Sequence, residues 1–115
     1  MSAKNSASCG THARSAGTPV TSTVYIVGNQ AAFCNWCNPH TVSLTLAATD
    51  VWTITLSFPE GTNLAYKYTL GSWNYVQKGG SCQELGDNTV SVGNLPTQVV
   101  NNTVVNWRNV APCGN

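Results

Sequence analysis

The stretch "VWTITLSFPEGTNLAYKYTL", Val51 to Leu70, decides the fold. Its first half alternates: Trp52, Ile54, Leu56 and Phe58 fall on one side, and Thr53, Thr55 and Ser57 on the other. That is the period of a half-buried strand. "PEGTN" is turn chemistry, rich in the residues that reverse a chain. The second half alternates again, with Leu64, Tyr66 and Tyr68 against Ala65, Lys67 and Thr69. Two such strands joined by a tight turn, with no helical period between them, predict an all-β chain.

The pattern extends in both directions. In "STVYIVGN" Val24 and Ile26 oppose Tyr25 and Val27, so both faces are apolar and the strand is expected to be central, ending at the Gly28-Asn29 turn. "TVSLTLAA" places Val42, Leu44 and Leu46 on one face. Toward the C-terminus, "WNYVQK" reads as a short strand, "GGSCQELGDN" as a loop and "TVSVG" as a strand. "NTVVNWRNV" reads as a last strand with Val105 and Trp107 on one face. Seven or eight strands at even spacing predict an antiparallel β-sandwich or small barrel. Residues 1–19 are small and polar and read as a loose N-terminal segment with at most one short edge strand, around Thr11 to Arg14. The domain itself is expected from 20 to 115.

A chain of 115 residues makes one domain. Only 8% of it is charged, the net charge is +1, and no run of Lys or Arg occurs, so neither nucleic acid nor an anionic membrane is an expected partner. No apolar run approaches the roughly 20 residues of a membrane helix, and the opening residues lack the apolar core of a signal peptide. Five cysteines, Cys9, Cys34, Cys37, Cys82 and Cys113, favour an oxidising, extracellular setting, with an odd thiol left over. A secreted monomer is expected.

The acids Asp50, Glu60, Glu84 and Asp87 sit at strand ends or in turns, and no serine stands in a nucleophile elbow, so catalysis is not expected. "FCNWCNPH", Phe33 to His40, allows three uses. A redox C-x-x-C needs a helix N-terminus to activate its thiol, whereas Asn38-Pro39 follows here. Cys34, Cys37 and His40 form half a zinc set, which Cys82 or the Cys9/His12 pair would complete, but no second tight ligand pair is present. Disulfide bonding is the simplest use, and neither metal nor cofactor is expected.

The tryptophans divide into two kinds. Trp52 and Trp107 lie in alternating strands and read as core. Trp36 lies in a Cys/Asn/Pro loop and Trp73 follows Gly71-Ser72, where no apolar periodicity asks for a large ring. An exposed indole stacks well on the C–H face of a pyranose, whose hydroxyls take hydrogen bonds from Asn, Gln and Lys. A neutral polysaccharide needs no charged surface. Lys67, opposite Tyr66 and Tyr68, is either a solvated edge charge or one of these contacts.

From Thr21 to Val110 the chain resembles the family 20 carbohydrate-binding modules, the starch-binding domains of secreted amylases and glucoamylases. The matching pieces come in family order: "VYIVGN", Asn35-Trp36, "VWTITLSFPEG" followed by "LAYKY", the "GSW" ending at Trp73, "GDN", and "NTVVNWR". The resemblance implies an immunoglobulin-like antiparallel β-sandwich without catalytic residues. It implies a platform for α-glucan such as starch, maltooligosaccharides or cyclodextrin formed by Trp36 and Trp73, with Lys67 and Asn88 as polar contacts; Gln77 is expected to join them. The family's second site rests on tyrosines where this chain has Val20-Thr21 and Ala47 to Asp50, so that site is expected to be absent or rebuilt. In the same frame Cys82 is expected to pair with Cys34 or Cys37, stapling the two ring-bearing loops, and Cys9 with Cys113. A Cys34–Cys37 bond competes, and connectivity is not readable from sequence. The competing functions are a structural β-sandwich domain of a larger secreted protein and a module for a different glycan.

Overall fold

The computed structural model describes residues 5–13, 23–48, 51–94, 97–109 and 113–114. They form a mostly antiparallel β-structure divided among several small sheets. One sheet has the order β3-β4-β1-β8, from Thr45–Ala48 (β3), Val51–Phe58 (β4), Asn5–Ala13 (β1) and Thr97–Val104 (β8). A second has the order β2-β5-β7, from Tyr25–Gly28 (β2), Asn63–Thr69 (β5) and Asn88–Ser91 (β7). Gln77–Lys78 (β6) pairs with Asn106–Trp107 (β9). The β1–β8 ladder is the parallel one among them.

The two strands that decided the fold class are present as β4 and β5, but they do not pair with each other: each enters a different sheet. Trp52 and Phe58 of β4 and Leu64, Tyr66 and Tyr68 of β5 meet in one core with Val24, Ile26, Phe33, Leu44, Val92, Val104 and Trp107. Two buried phenols join the sheets: Tyr66 and Tyr68 donate from β5 to Asn102 Oδ1 on β8 at 2.8 and 2.7 Å.

Four expectations change. The edge strand sought around Thr11 to Arg14 is β1, which is hydrogen bonded on both sides; Arg14 lies outside the described residues. Ladder pairing is a backbone property, and a polar segment without apolar alternation advertises none of it. Val42 and Leu44 face the core beside β2, but Leu46 is 54% exposed, because the chain changes sheets after Leu44: Leu44 N–H bonds Val24 O, whereas Thr45 onward pairs with β4. Val104 and Trp107 are both buried and Val105 is 44% exposed, since β8 ends at Val104 and the break before β9 resets the alternation. Finally, Trp73–Tyr75 forms a 3-10 helix and only Gln77–Lys78 of "WNYVQK" is strand.

Cys82 bonds to Cys113, not to Cys34 or Cys37, so the expected staple between the ring-bearing loops is replaced. The same bond overturns the Cys9–Cys113 pairing; the Cys9 side chain lies outside the described residues. No helix among the described residues is long and apolar enough to cross a membrane.

Replacing Asn102 with Ala removes an acceptor shared by two buried hydroxyls and should lower stability by about 1 to 3 kcal/mol. Urea unfolding of Asn102→Ala beside the parent chain measures it, and an unchanged midpoint would dismiss the tyrosine latch.

Candidate functional site

The site grows out of the end of β2. Gly28 faces Tyr66 across the ladder, and a side chain there would put its Cβ 2.7 Å from the Phe33 ring, so glycine is what lets Phe33 pack. Asn29 then pins the turn to β5: its Nδ2 donates to Asn63 O and its Oδ1 accepts from Ala65 N–H, both at 3.1 Å. Phe33, inside the 3-10 segment Ala31–Trp36, is buried with its ring 5.2 Å from Phe58 and 5.5 Å from Tyr66. This anchor fixes where the next three residues begin.

Cys34, Asn35 and Trp36 all have left-handed backbone, with φ of 57°, 51° and 59°. Each such non-glycine residue costs roughly 1–2 kcal/mol, Asn somewhat less, so a run of three needs closure from outside. It has two closures: Cys37 N–H bonds Cys34 O at 3.1 Å, and a disulfide joins Cys34 to Cys37. The ring of Trp36 emerges 37% exposed.

The second loop comes from the end of β5. Two residues past Thr69 comes Gly71, whose φ of 126° turns the chain, and then Ser72, whose Oγ accepts from Asn74 N–H to start the 3-10 helix bearing Trp73. His40 joins the loops. Its N–H donates to Gly71 O, its Nδ1 lies 2.6 Å from Thr69 Oγ1, and its ring meets Trp73 edge-on at 4.7 Å and 81°. The result is that Trp36 and Trp73, far apart in sequence, have ring centroids 6.1 Å apart and planes inclined at 31°.

The polar candidates divide between the two faces of the sheet. Lys67 is half-buried and, two residues before Thr69 on the strand, shares the face of β5 from which Thr69 meets His40. Asn88 is the ladder partner of Tyr66 and shares the opposite face. Its Nδ2 donates to Gln77 Oε1, which also accepts from Tyr68 N–H at 2.8 Å. Gln77 is buried, and its carbonyl oxygen extends the β5 ladder past the end of β7. A groove of about 380 Å³ lies toward the start of β5, among Asn29, Asn63, Ala65, Thr89 and Ser91, with no aromatic ring in its lining.

The cysteine chemistry of "FCNWCNPH" is thus structural. Thiols bound in disulfides are neither attacking groups nor zinc ligands, and no metal-sized cluster of His, Cys, Asp and Glu occurs among the described residues. From sequence alone His40 reads only as part of a zinc set that is not expected to form, and Thr69 goes unnoticed; a polar pair between loops carries no periodic signal.

Burial lowers the pKa of His40 from 6.5, and its Nε2 is enclosed without a hydrogen-bond partner. The unfolded chain takes up a proton near pH 6.5 that the folded chain resists. The contribution of His40 to stability is therefore full above that pH and is lost as pH falls through the lowered folded value. Urea unfolding at about pH 7 and about pH 5 should show a smaller loss of stability in His40→Gln than in the parent chain; equal losses would exclude His40 as the source.

Comparison with known proteins accords with this geometry. A family model described as starch binding domain matches residues 11–93. An amylopullulanase of Thermoanaerobacter thermohydrosulfuricus is 41% identical over 75 residues, 64% of this chain and 5% of that protein. An alpha-amylase of Streptomyces violaceus is 38% identical over 53 residues, 46% of this chain and 9% of that protein. The chain thus spans under a tenth of these relatives. Among solved structures, the family 20 carbohydrate-binding module of the maltotetraose-forming amylase of Pseudomonas saccharophila STB07 is alike in fold, with a TM-score of 0.57 at 19% identity over 84% of this chain and 98% of that one. The glucoamylase of Hormoconis resinae gives 0.68 at 15% identity over 90% of this chain and 18% of that one. With the family model spanning well over half of its residues, the chain belongs to the starch-binding domain family and is a non-catalytic carbohydrate-binding module.

Proposed function

We propose that this module binds starch or related α-glucans by stacking sugar rings on Trp36 and Trp73, and that it brings an attached, secreted starch-active enzyme to its substrate. The observation that carries this is the pairing of the two indoles on one surface, 6.1 Å apart, by loops that converge from different strands. Neither ring is needed by the core, which is complete without them. Lys67, on the same side, donates to sugar hydroxyls. Asn88 was a candidate contact, and its bond to buried Gln77 on the other face suits both residues better to holding β5 in place behind the platform. The two larger sheets then act as an immunoglobulin-like antiparallel sandwich, a reading supported by the Tyr66 and Tyr68 bonds to Asn102 between them.

The module works outside the cell as a monomer, with disulfides that an oxidising medium keeps intact. One binding site is expected rather than two. The residues at the family's second site, Val20-Thr21 and Asp50, lie outside the described residues, and Ala47 and Ala48 offer no ring there.

Trp36→Ala and Trp73→Ala should each weaken binding of maltoheptaose or β-cyclodextrin by about 2 kcal/mol, roughly thirtyfold, while leaving thermal unfolding unchanged. Titration calorimetry and retention on granular starch, with cellulose as control, measure this. Undiminished retention in both variants would reject the platform, and equal retention on cellulose would move the ligand to another glycan.

A further inference from the structure

We propose that Cys34 and Cys37 are positioning residues: their disulfide holds Trp36 beside Trp73, and opening it separates the two rings. The consequence for glucan binding rests on the function proposed above; the positioning does not.

Three consecutive non-glycine residues with left-handed backbone, Cys34, Asn35 and Trp36, make one turn of the disfavoured hand. Such a turn persists only where its surroundings over-determine it. Upstream, the Phe33 ring in the core and the Asn35 N–H bond to Gln30 O at 3.0 Å fix its entry. Downstream, His40 is bound to Gly71 and Thr69 and fixes the chain three residues beyond Cys37. Within the turn itself, one backbone bond, Cys37 N–H to Cys34 O, and the covalent bond between the same two residues are what close it. Trp36 is the third residue of the turn, so its Cα–Cβ direction follows from the hand of the turn. With the right-handed backbone that these residues prefer, the indole would leave the loop in another direction.

The bond closes a sequence separation of 3, against 31 for Cys82–Cys113, so by loop entropy it constrains the unfolded chain less. Its effect is local, on the ring it brackets. Both cysteines are half-buried beside exposed Asn35, Trp36 and Asn38, within reach of a small thiol. The step is thiol–disulfide exchange with a dithiol: the Cys34–Cys37 bond takes two electrons and two protons to give two thiols, and the reagent's two thiols are oxidised to a disulfide.

Two indoles at 6.1 Å and 31° should couple as a far-ultraviolet circular dichroism couplet, absent from Trp36→Phe, which reads their pairing without any ligand. Cys34→Ser/Cys37→Ser should lose that couplet while keeping a cooperative melt. Dithiothreitol titration of the parent chain should lose it at the step where alkylation and digest mass spectrometry show Cys34 and Cys37 opening, and reoxidation should restore it. Affinity for β-cyclodextrin should fall at least about tenfold with the couplet, and in a Trp36→Ala background opening the bond should change affinity no further. A couplet that survives the opening of Cys34–Cys37 overturns the proposal. A couplet lost on opening, in a protein that binds no glucan even when oxidised, upholds the positioning and removes the function assigned to the rings instead.

Discussion

Everything in this molecule hangs from the burial of one face of β5. Leu64, Tyr66 and Tyr68 are almost wholly withdrawn from water, and the two tyrosines tie the strand to the rest of the fold. Tyr66 backs the Phe33 ring and lies across from Gly28, Tyr68 takes the Gln77 carbonyl on its N–H, and both phenols reach Asn102 in the other sheet. A strand held so firmly on one face can present the other. Lys67 and Thr69 occupy that other face, and the chain leaves β5 directly into the loop that carries Trp73.

The pairing of Trp36 and Trp73 is therefore a product of two anchored loops and not of a rigid strand surface. One loop starts from Phe33 in the core and is turned left-handed before it releases Trp36. The other turns at Gly71 and is propped by His40 beneath Trp73. His40 is an unusual prop, a buried imidazole with one nitrogen unpartnered, and its cost is offset by the contacts it makes at once with Thr69, Gly71 and Trp73. For the function proposed above, holding the two rings in place before a ligand arrives reduces the ordering penalty of binding, which matters most for a neutral sugar that offers no charge to grip.

Much of the fold was legible. Alternation in β4 and β5 put Trp52, Phe58, Leu64, Tyr66 and Tyr68 inside, and the central position expected of "VYIV" is observed: β5 pairs with one edge and residues 42–44 with the other, and Val24, Ile26 and Val27 are buried. The setting of Trp36 and Trp73 outside the strands was legible by elimination, since no strand pattern wanted them, but only Trp36 is exposed and Trp73 is half-buried against His40. What misled was assuming that a pattern continues. Leu46 and Val105 fit the alternation of the strands before them, yet each lies just past a break where the chain changes partner.

The amino-acid sequence by itself determined the class of structure, the core face of each long strand, the surplus aromatic rings and the uncharged surface, because these follow from local period and composition. Tertiary structure alone decided which cysteines are bonded, that Trp36 lies beside Trp73, that Asn88 turns inward to Gln77, and that His40 joins the two ring-bearing loops. All four depend on the distance and direction between residues remote in sequence. Those quantities are set when the sheets close on their core, and no short-range pattern along the chain encodes them.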